Sequence, residues 1–232
     1  MIMDEEYLKM CLTEVEARLL RTPKNAPAQR KLSKQNYTFS NLSLAEQLII
    51  WDYVWNRSTD FWIKIHSFLF CESKVKNKSF LCDSWETIKH WQKSVDNWGH
   101  CDGLAKIFTK ILELTPELVL EQLEQWNKST NLWDRRQSLV SLLYFSRTKK
   151  IFLPYDIIIS FINKLIDDPE YYVQKAVGWS LKELYQVYPE ETLLYLETNI
   201  QQVSPIAFSA TTEKLKPADK EKLMTIRKPG RK

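Results

Sequence analysis

VDNWGHCDGLAKIFTKILELTPELVLEQLEQW, residues 95–126, reads as two consecutive helices. Apolar residues recur at helical spacing from Trp98 to Leu114, and Pro116 then opens a second run to Trp126. Proline fits there because the first-turn N–H has no partner inside a helix. The pattern continues in both directions with short breaks. It predicts helices over Glu5–Leu20, Ser43–Asn56, Thr59–Cys71 and Ser84–Val95, then Trp133–Ser146, Tyr155–Ile166, Tyr171–Tyr188 and Pro189–Ile200. Ser43, Thr59 and Ser84 supply polar caps, and Pro189 repeats the proline start. The segment Thr22–Ser40, rich in Lys, Gln, Asn and Pro, reads as a connector with at most short helical turns. No strand pattern is found.

Composition agrees with an all-α class, since 232 residues carry only four glycines and 44% hydrophobic side chains. Helix pairs recur about every 35 to 45 residues, the period of helix-hairpin repeats that stack into a solenoid. The expected architecture is therefore a HEAT-like helical-repeat solenoid, an α-α superhelix forming a single curved domain over residues 1–224, with 225–232 a frayed basic tail. Thirty-three Lys and Arg against 29 Asp and Glu leave a net charge of +4, so any nucleic-acid footprint must come from local clustering. Lys24, Arg30, Lys31 and Lys34 form one such basic surface. The N-terminus lacks a basic region followed by an apolar one, and no window approaches 18 uninterrupted apolar residues, so a soluble cytoplasmic protein is expected. Cys11, Cys71, Cys82 and Cys101 contain no C-x-x-C pair, and the three histidines lack zinc-ligand spacing. Reduced thiols and no metal or organic cofactor follow.

Three runs carry the candidate chemistry: VDNWGHCDGLAKIF from Val95, NLWDRRQSLVSLL from Asn131 and YYVQKAVGWSLKEL from Tyr171. Trp98 and Asp102 are one turn apart, which places an indole beside a carboxylate on one helix face. Lys175, Trp179 and Lys182 follow the same spacing, giving two cations around an aromatic ring. Equivalent helices of a solenoid line one surface, so Asp102, Arg136 and Trp179, spaced by 34 and 43 residues, could converge. Other readings stay open at this level. A tryptophan at helical spacing is commonly core, Asp102 before Gly103 could cap a helix, and Arg136 could pair with Asp134 or Asp102.

The same runs resemble the bacterial DNA alkylation-repair glycosylases of the AlkD type, which are built from HEAT-like repeats. The similarity spans about residues 94–196. The family's tryptophan four residues before an aspartate is matched by Trp98 and Asp102 in DNWGHCD. Its arginine segment is matched by NLWDRR, pointing to Arg136, and its second tryptophan by QKAVGW, ending at Trp179. Gly99 stands where a close family member carries an acidic residue, and Tyr37 and Phe39 are the candidates for an N-terminal aromatic contact. The resemblance implies hydrolysis of the N-glycosidic bond of N3- or N7-alkylated purines in double-stranded DNA by a monofunctional enzyme. Asp102, Trp98, Trp179 and Arg136 would be the active-site residues, and Lys175, Lys182 and Arg135 additional DNA contacts. A strand-nicking lyase using Lys175 as amine nucleophile fits less well than carboxylate-based hydrolysis. A non-catalytic relative that binds damaged or branched DNA is the alternative. No membrane or obligate protein partner is expected.

Overall fold

The computed structural model describes residues 3–228, and every regular element among them is helical. The chain divides into two compact units, residues 1–114 and 115–232. Among the described residues no helix is long and apolar enough to cross a membrane.

The first unit holds α1 (Glu5–Leu20), α2 (Ala26–Leu32), α3 (Leu44–Arg57), α4 (Phe61–Ser73), α5 (Lys78–Ile88) and α6 (Trp98–Leu114), with a 3-10 segment Lys89–Ser94 before α6. Short polar side chains start these helices by accepting from otherwise orphaned N–H groups: Asp4 for α1, Asn25 for α2, Asp60 for α4 and Asn77 for α5. Ser43 and Glu46 form a reciprocal capping box on α3. Tryptophan dominates the core. Trp55, Trp85 and Trp91 are each less than 2% exposed, with Trp55 stacked on Trp91 at 5.1 Å and Trp85 edge-on to Phe108 at 5.3 Å. Each such ring removes on the order of 200 Å² from water, on the order of 5 kcal/mol before conformational entropy is counted. The core reading of tryptophan therefore holds for these three.

Tyr37 and Phe39 also belong to this core, at 6% and 1% exposure. They stack on each other at 5.1 Å and meet Trp51 edge-on, so neither is available as a DNA contact. Polar atoms beneath them are matched: His66 Nε2 lies 2.8 Å from Gln29 Oε1 and its Nδ1 lies 3.4 Å from the Tyr37 hydroxyl. Nε2 thus donates and Nδ1 accepts, the pattern of a neutral ring. Burial drives the His66 pKa down from 6.5 to about 4. Because the unfolded chain takes up this proton first, the contribution is intact above pH 6.5 and is lost as pH falls toward 4. Over that window the loss approaches about 3 kcal/mol, at roughly 1.4 kcal/mol per pH unit. Urea denaturation at pH 7, 5.5 and 4.5 should show this decline, and His66→Gln should flatten it; an equally steep decline in the variant would assign it to other groups.

The second unit holds α7 (Pro116–Asn127), α8 (Leu132–Val140), a 3-10 turn Ser146–Thr148, α9 (Tyr155–Asn163), α10 (Tyr171–Val187), α11 (Pro189–Asn199), α12 (Pro205–Thr211) and α13 (Pro217–Arg227). Proline stands in the first turn of α7, α11, α12 and α13. Helix α10 is the hub, packed by α8, α9, α11 and α12. Its closest approach is to α12 at Gly178, where an added Cβ would stand 2.3 Å from the Ala207 carbonyl oxygen.

Several boundaries differ from the sequence expectation. Helix α5 begins at Lys78 under the Asn77 cap; Ser84 lies inside it, fully buried, with its hydroxyl returned to the Leu81 carbonyl at 2.8 Å. Helix α8 stops at Val140 although apolar residues continue, and the chain beyond it passes through turns to Phe145 in the left-handed region. The connector Thr22–Ser40 contains the two-turn helix α2, and α12 is an element the sequence reading did not place. The last helix, α13, runs to Arg227 and so takes in the first three residues of the stretch 225–232 read as a frayed tail. The rest of the basic tail, 229–232, lies outside the described residues.

Candidate active site

In the first unit the segment before α6 is fixed from below. Trp55 Nε1 donates to Ser94 Oγ at 2.8 Å and to the Trp91 carbonyl at 3.2 Å. Lys64, only 8% exposed, donates to the same hydroxyl at 3.0 Å and to the Ser94 carbonyl at 3.3 Å. Burial lowers the Lys64 pKa, with Asp96 acting in the opposite direction. Asn97 then starts the helix: its Oδ1 accepts from the His100 backbone N–H at 2.9 Å. Its amide nitrogen donates to His100 Nδ1 at 2.8 Å, and His100 Nε2 donates to the Phe61 carbonyl at 3.0 Å. The His100 ring is therefore neutral and held on both sides, and burial lowers its pKa.

This cap decides the reading of Asp102. Asn97 performs the capping, so Asp102 sits in the second turn and is not the helix cap. The glycine after it has a packing role, since a Cβ on Gly103 would stand 2.4 Å from the Phe68 ring of α4. With Gly103 and Cys101 turned to the core, the Trp98–Asp102 side of α6 is left outward. Trp98 is 58% exposed, in contrast to the buried tryptophans, and Asp102 is half-buried. The structure thus brings the indole and the carboxylate together one turn apart. One turn further on, Lys106 pairs with Glu72, which also holds Arg30 at 3.1 Å. Of the basic surface read in the connector, Lys24 is likewise paired, with Asp60 at 3.2 Å.

The second unit holds the remaining candidates. Arg136 is 8% exposed, and its Nη1 donates to the Tyr172 carbonyl at 3.0 Å, tying α8 to the start of α10. Arg135 is fully engaged in the protein: Nε and Nη2 reach the two Asp168 oxygens at 2.6 and 3.3 Å, and Nη1 donates to the Ser129 and Thr130 carbonyls. That geometry is a structural clamp between α8 and the loop before α10. Lys175 is exposed and Trp179 half-buried, whereas Lys182 pairs with Glu213 at 2.8 Å. All three lie on one stripe of α10, as the spacing requires.

Aromatic residues that the sequence reading did not single out extend this stripe. Tyr171 and Tyr172 are 53% and 38% exposed, and Tyr172 lies against Trp133 with ring centres 4.9 Å apart. Tyr144 and Phe145 flank Trp179 at 5.8 and 6.1 Å. The four-residue steps Tyr171, Lys175, Trp179 carried the signal for the first of these. Nothing local marked Phe145.

A cation beside exposed aromatic rings suits a sugar-phosphate strand, and a carboxylate beside an indole suits a developing positive charge. A chain from Enterococcus faecalis described as a predicted DNA alkylation repair enzyme superposes with a TM-score of 0.67 at 19% identity, covering 83% of this chain and 87% of its own. AlkD2 from Streptococcus mutans gives a TM-score of 0.57 at 17% identity, covering 95% and 97%. These likenesses establish the shared helical fold. No curated protein sequence matches the chain. The sequence pattern of the family described as DNA alkylation repair enzyme matches residues 24–215, and the chain belongs to that family.

Proposed function

We propose that the protein is a monofunctional DNA glycosylase that removes N3- or N7-alkylated purines from duplex DNA in the cytoplasm. The observation that carries this reading is the pairing of outward Trp98 with half-buried Asp102 on α6, where neither residue serves as core or cap. An alkylated purine of this class already bears a positive charge. When its C1′–N bond breaks, the electron pair stays on the base, which leaves neutral without a proton donor. The remaining barrier lies in the cationic sugar.

Asp102 stabilises the charge growing at C1′ and orients a water whose oxygen bonds to C1′, while the water proton passes to the carboxylate or to solvent. The products are free base and an abasic site. From the family resemblance, Trp98 and Trp179 are each assigned to sugar contacts on the damaged strand, worth about 0.5–2 kcal/mol apiece through the negative face of the indole. Lys175 is assigned to a backbone phosphate, and Arg136, 8% exposed and bonded to the Tyr172 carbonyl, reaches one only by turning its guanidinium outward. Lys182 joins them only by exchanging its Glu213 partner for a phosphate. Arg135 is left out of this interface, because Asp168 and two carbonyls occupy its guanidinium.

The test is release of 7-methylguanine from methylated duplex DNA by the purified chain. Release at a rate well above spontaneous loss is expected. Salt-sensitive binding without release would instead make the chain a non-catalytic reader of damaged DNA.

A further inference from the structure

Phe145 is the one non-glycine residue with positive φ among the described residues, at φ 46° and ψ 76°. A bulky side chain is disfavoured there because its Cβ crowds the backbone, so something must hold the turn. The holder is Glu183 of α10, 7% exposed, whose Oε2 accepts from the Ser146 backbone N–H at 2.8 Å and from the Ser146 hydroxyl at 2.6 Å. Phe145 lines a cleft of about 600 Å³ together with Arg147, Lys149 and Glu183, and its ring is 39% exposed. On its other side the ring meets Trp179 edge-on at 6.1 Å and Tyr144 at 4.7 Å, and Tyr144 itself lies 5.8 Å from Trp179. Strained backbone held by a buried carboxylate, beside a functional aromatic, is the arrangement found where a site is organised before its ligand arrives.

We propose that Phe145 is a positioning residue for Trp179: the Glu183 carboxylate locks the turn, and the turn fixes the indole face that Trp179 offers to the deoxyribose. The assignment of Trp179 to the sugar rests on the glycosylase reading; the fixing of the indole does not. Two kinds of measurement therefore separate them.

In protein labelled with 5-fluorotryptophan, the resonance of Trp179 among the nine tryptophans is assigned by its absence in Trp179→Phe. Phe145→Gly should displace or broaden that resonance, and Glu183→Gln should move it in the same direction. Phe145→Tyr should restore its wild-type position. Glycine takes positive φ without strain, so Phe145→Gly should keep or raise the melting temperature by about 2–4 °C while the indole loosens. Loss of order at Trp179 in a protein that is no less stable is the result a merely structural ring would not give. In the base-release assay the same variant should lower kcat about tenfold and leave affinity for undamaged duplex within about twofold. An unchanged Trp179 resonance in both Phe145→Gly and Glu183→Gln overturns the proposal. Absence of base release by the wild-type chain overturns the glycosylase reading, and the fluorine spectra still decide the role of Phe145.

Discussion

Asp102→Asn should reduce single-turnover release of 7-methylguanine by at least about 100-fold, while affinity for the same duplex changes by less than about threefold. The substitution keeps size and shape and removes only the negative charge. A charge that matters solely when the sugar becomes cationic acts on the transition state, so its loss falls on the chemical step. The expected factor corresponds to about 3 kcal/mol or more, comparable to deleting a preorganised group that faces a developing charge. The helix start should survive, since Asn97 caps α6. Circular dichroism and the melting temperature of the variant establish that control. An Asp102→Asn protein that releases base at the wild-type rate would remove the mechanism given above.

Gly178→Ala should be the most damaging small change to stability, at about 3 kcal/mol or more, the upper range for overpacking. The added Cβ would stand 2.3 Å from the Ala207 carbonyl oxygen and 2.8 Å from its Cα, both backbone atoms of α12. No flexible side chain can yield there, so α10 and α12 must separate. That separation would also stretch the contact in which the Thr211 hydroxyl donates to the Gly178 carbonyl at 3.3 Å. Urea denaturation of the variant measures the effect directly. A loss below about 1 kcal/mol would mean that α12 shifts easily and is not firmly seated on α10.

How far the fold could be read from the sequence depended on where its signals lay. Helix α6 was legible at both ends, because its apolar residues recur from Trp98 to Leu114 and Pro116 opens the next helix, although the Asn97 cap itself was not read. Helix α1 was equally clear from the spacing of its apolar residues. Helix α5 was misplaced because Ser84 resembles a cap, whereas its hydroxyl bonds back to Leu81 and the cap is Asn77, several residues earlier. The end of α8 carried no glycine or proline, and the turn beyond it is held at Ser146 by Glu183, which lies far along the chain. Helix α12 is too short for periodicity to register, and its place on α10 depends on Gly178.

The candidate site was legible to a similar degree. Residue type and helical spacing placed Trp98 with Asp102 and Lys175 with Trp179. Spacing could not tell Arg135 from Arg136, because the distinction lies in Asp168 and the Tyr172 carbonyl, contacts more than thirty residues away. Nor could it find that Tyr37 and Phe39 face inward, which their 6% and 1% exposures decide.

The exposure of Trp98, at 58%, has an evolutionary consequence. A tryptophan in the core, such as Trp55 at under 2% exposure, is protected by selection for a folded protein, since its replacement costs about 3–5 kcal/mol. Trp98 has no such protection. A lineage in which the substrate disappeared could replace it at a smaller cost in folding, and the helices would persist as a sound scaffold from which the chemistry had drifted away. On the glycosylase reading, the identity of the residue at position 98 among descendants of this fold records ancestry of use, while the residues at positions 55, 85 and 91 record only ancestry of shape.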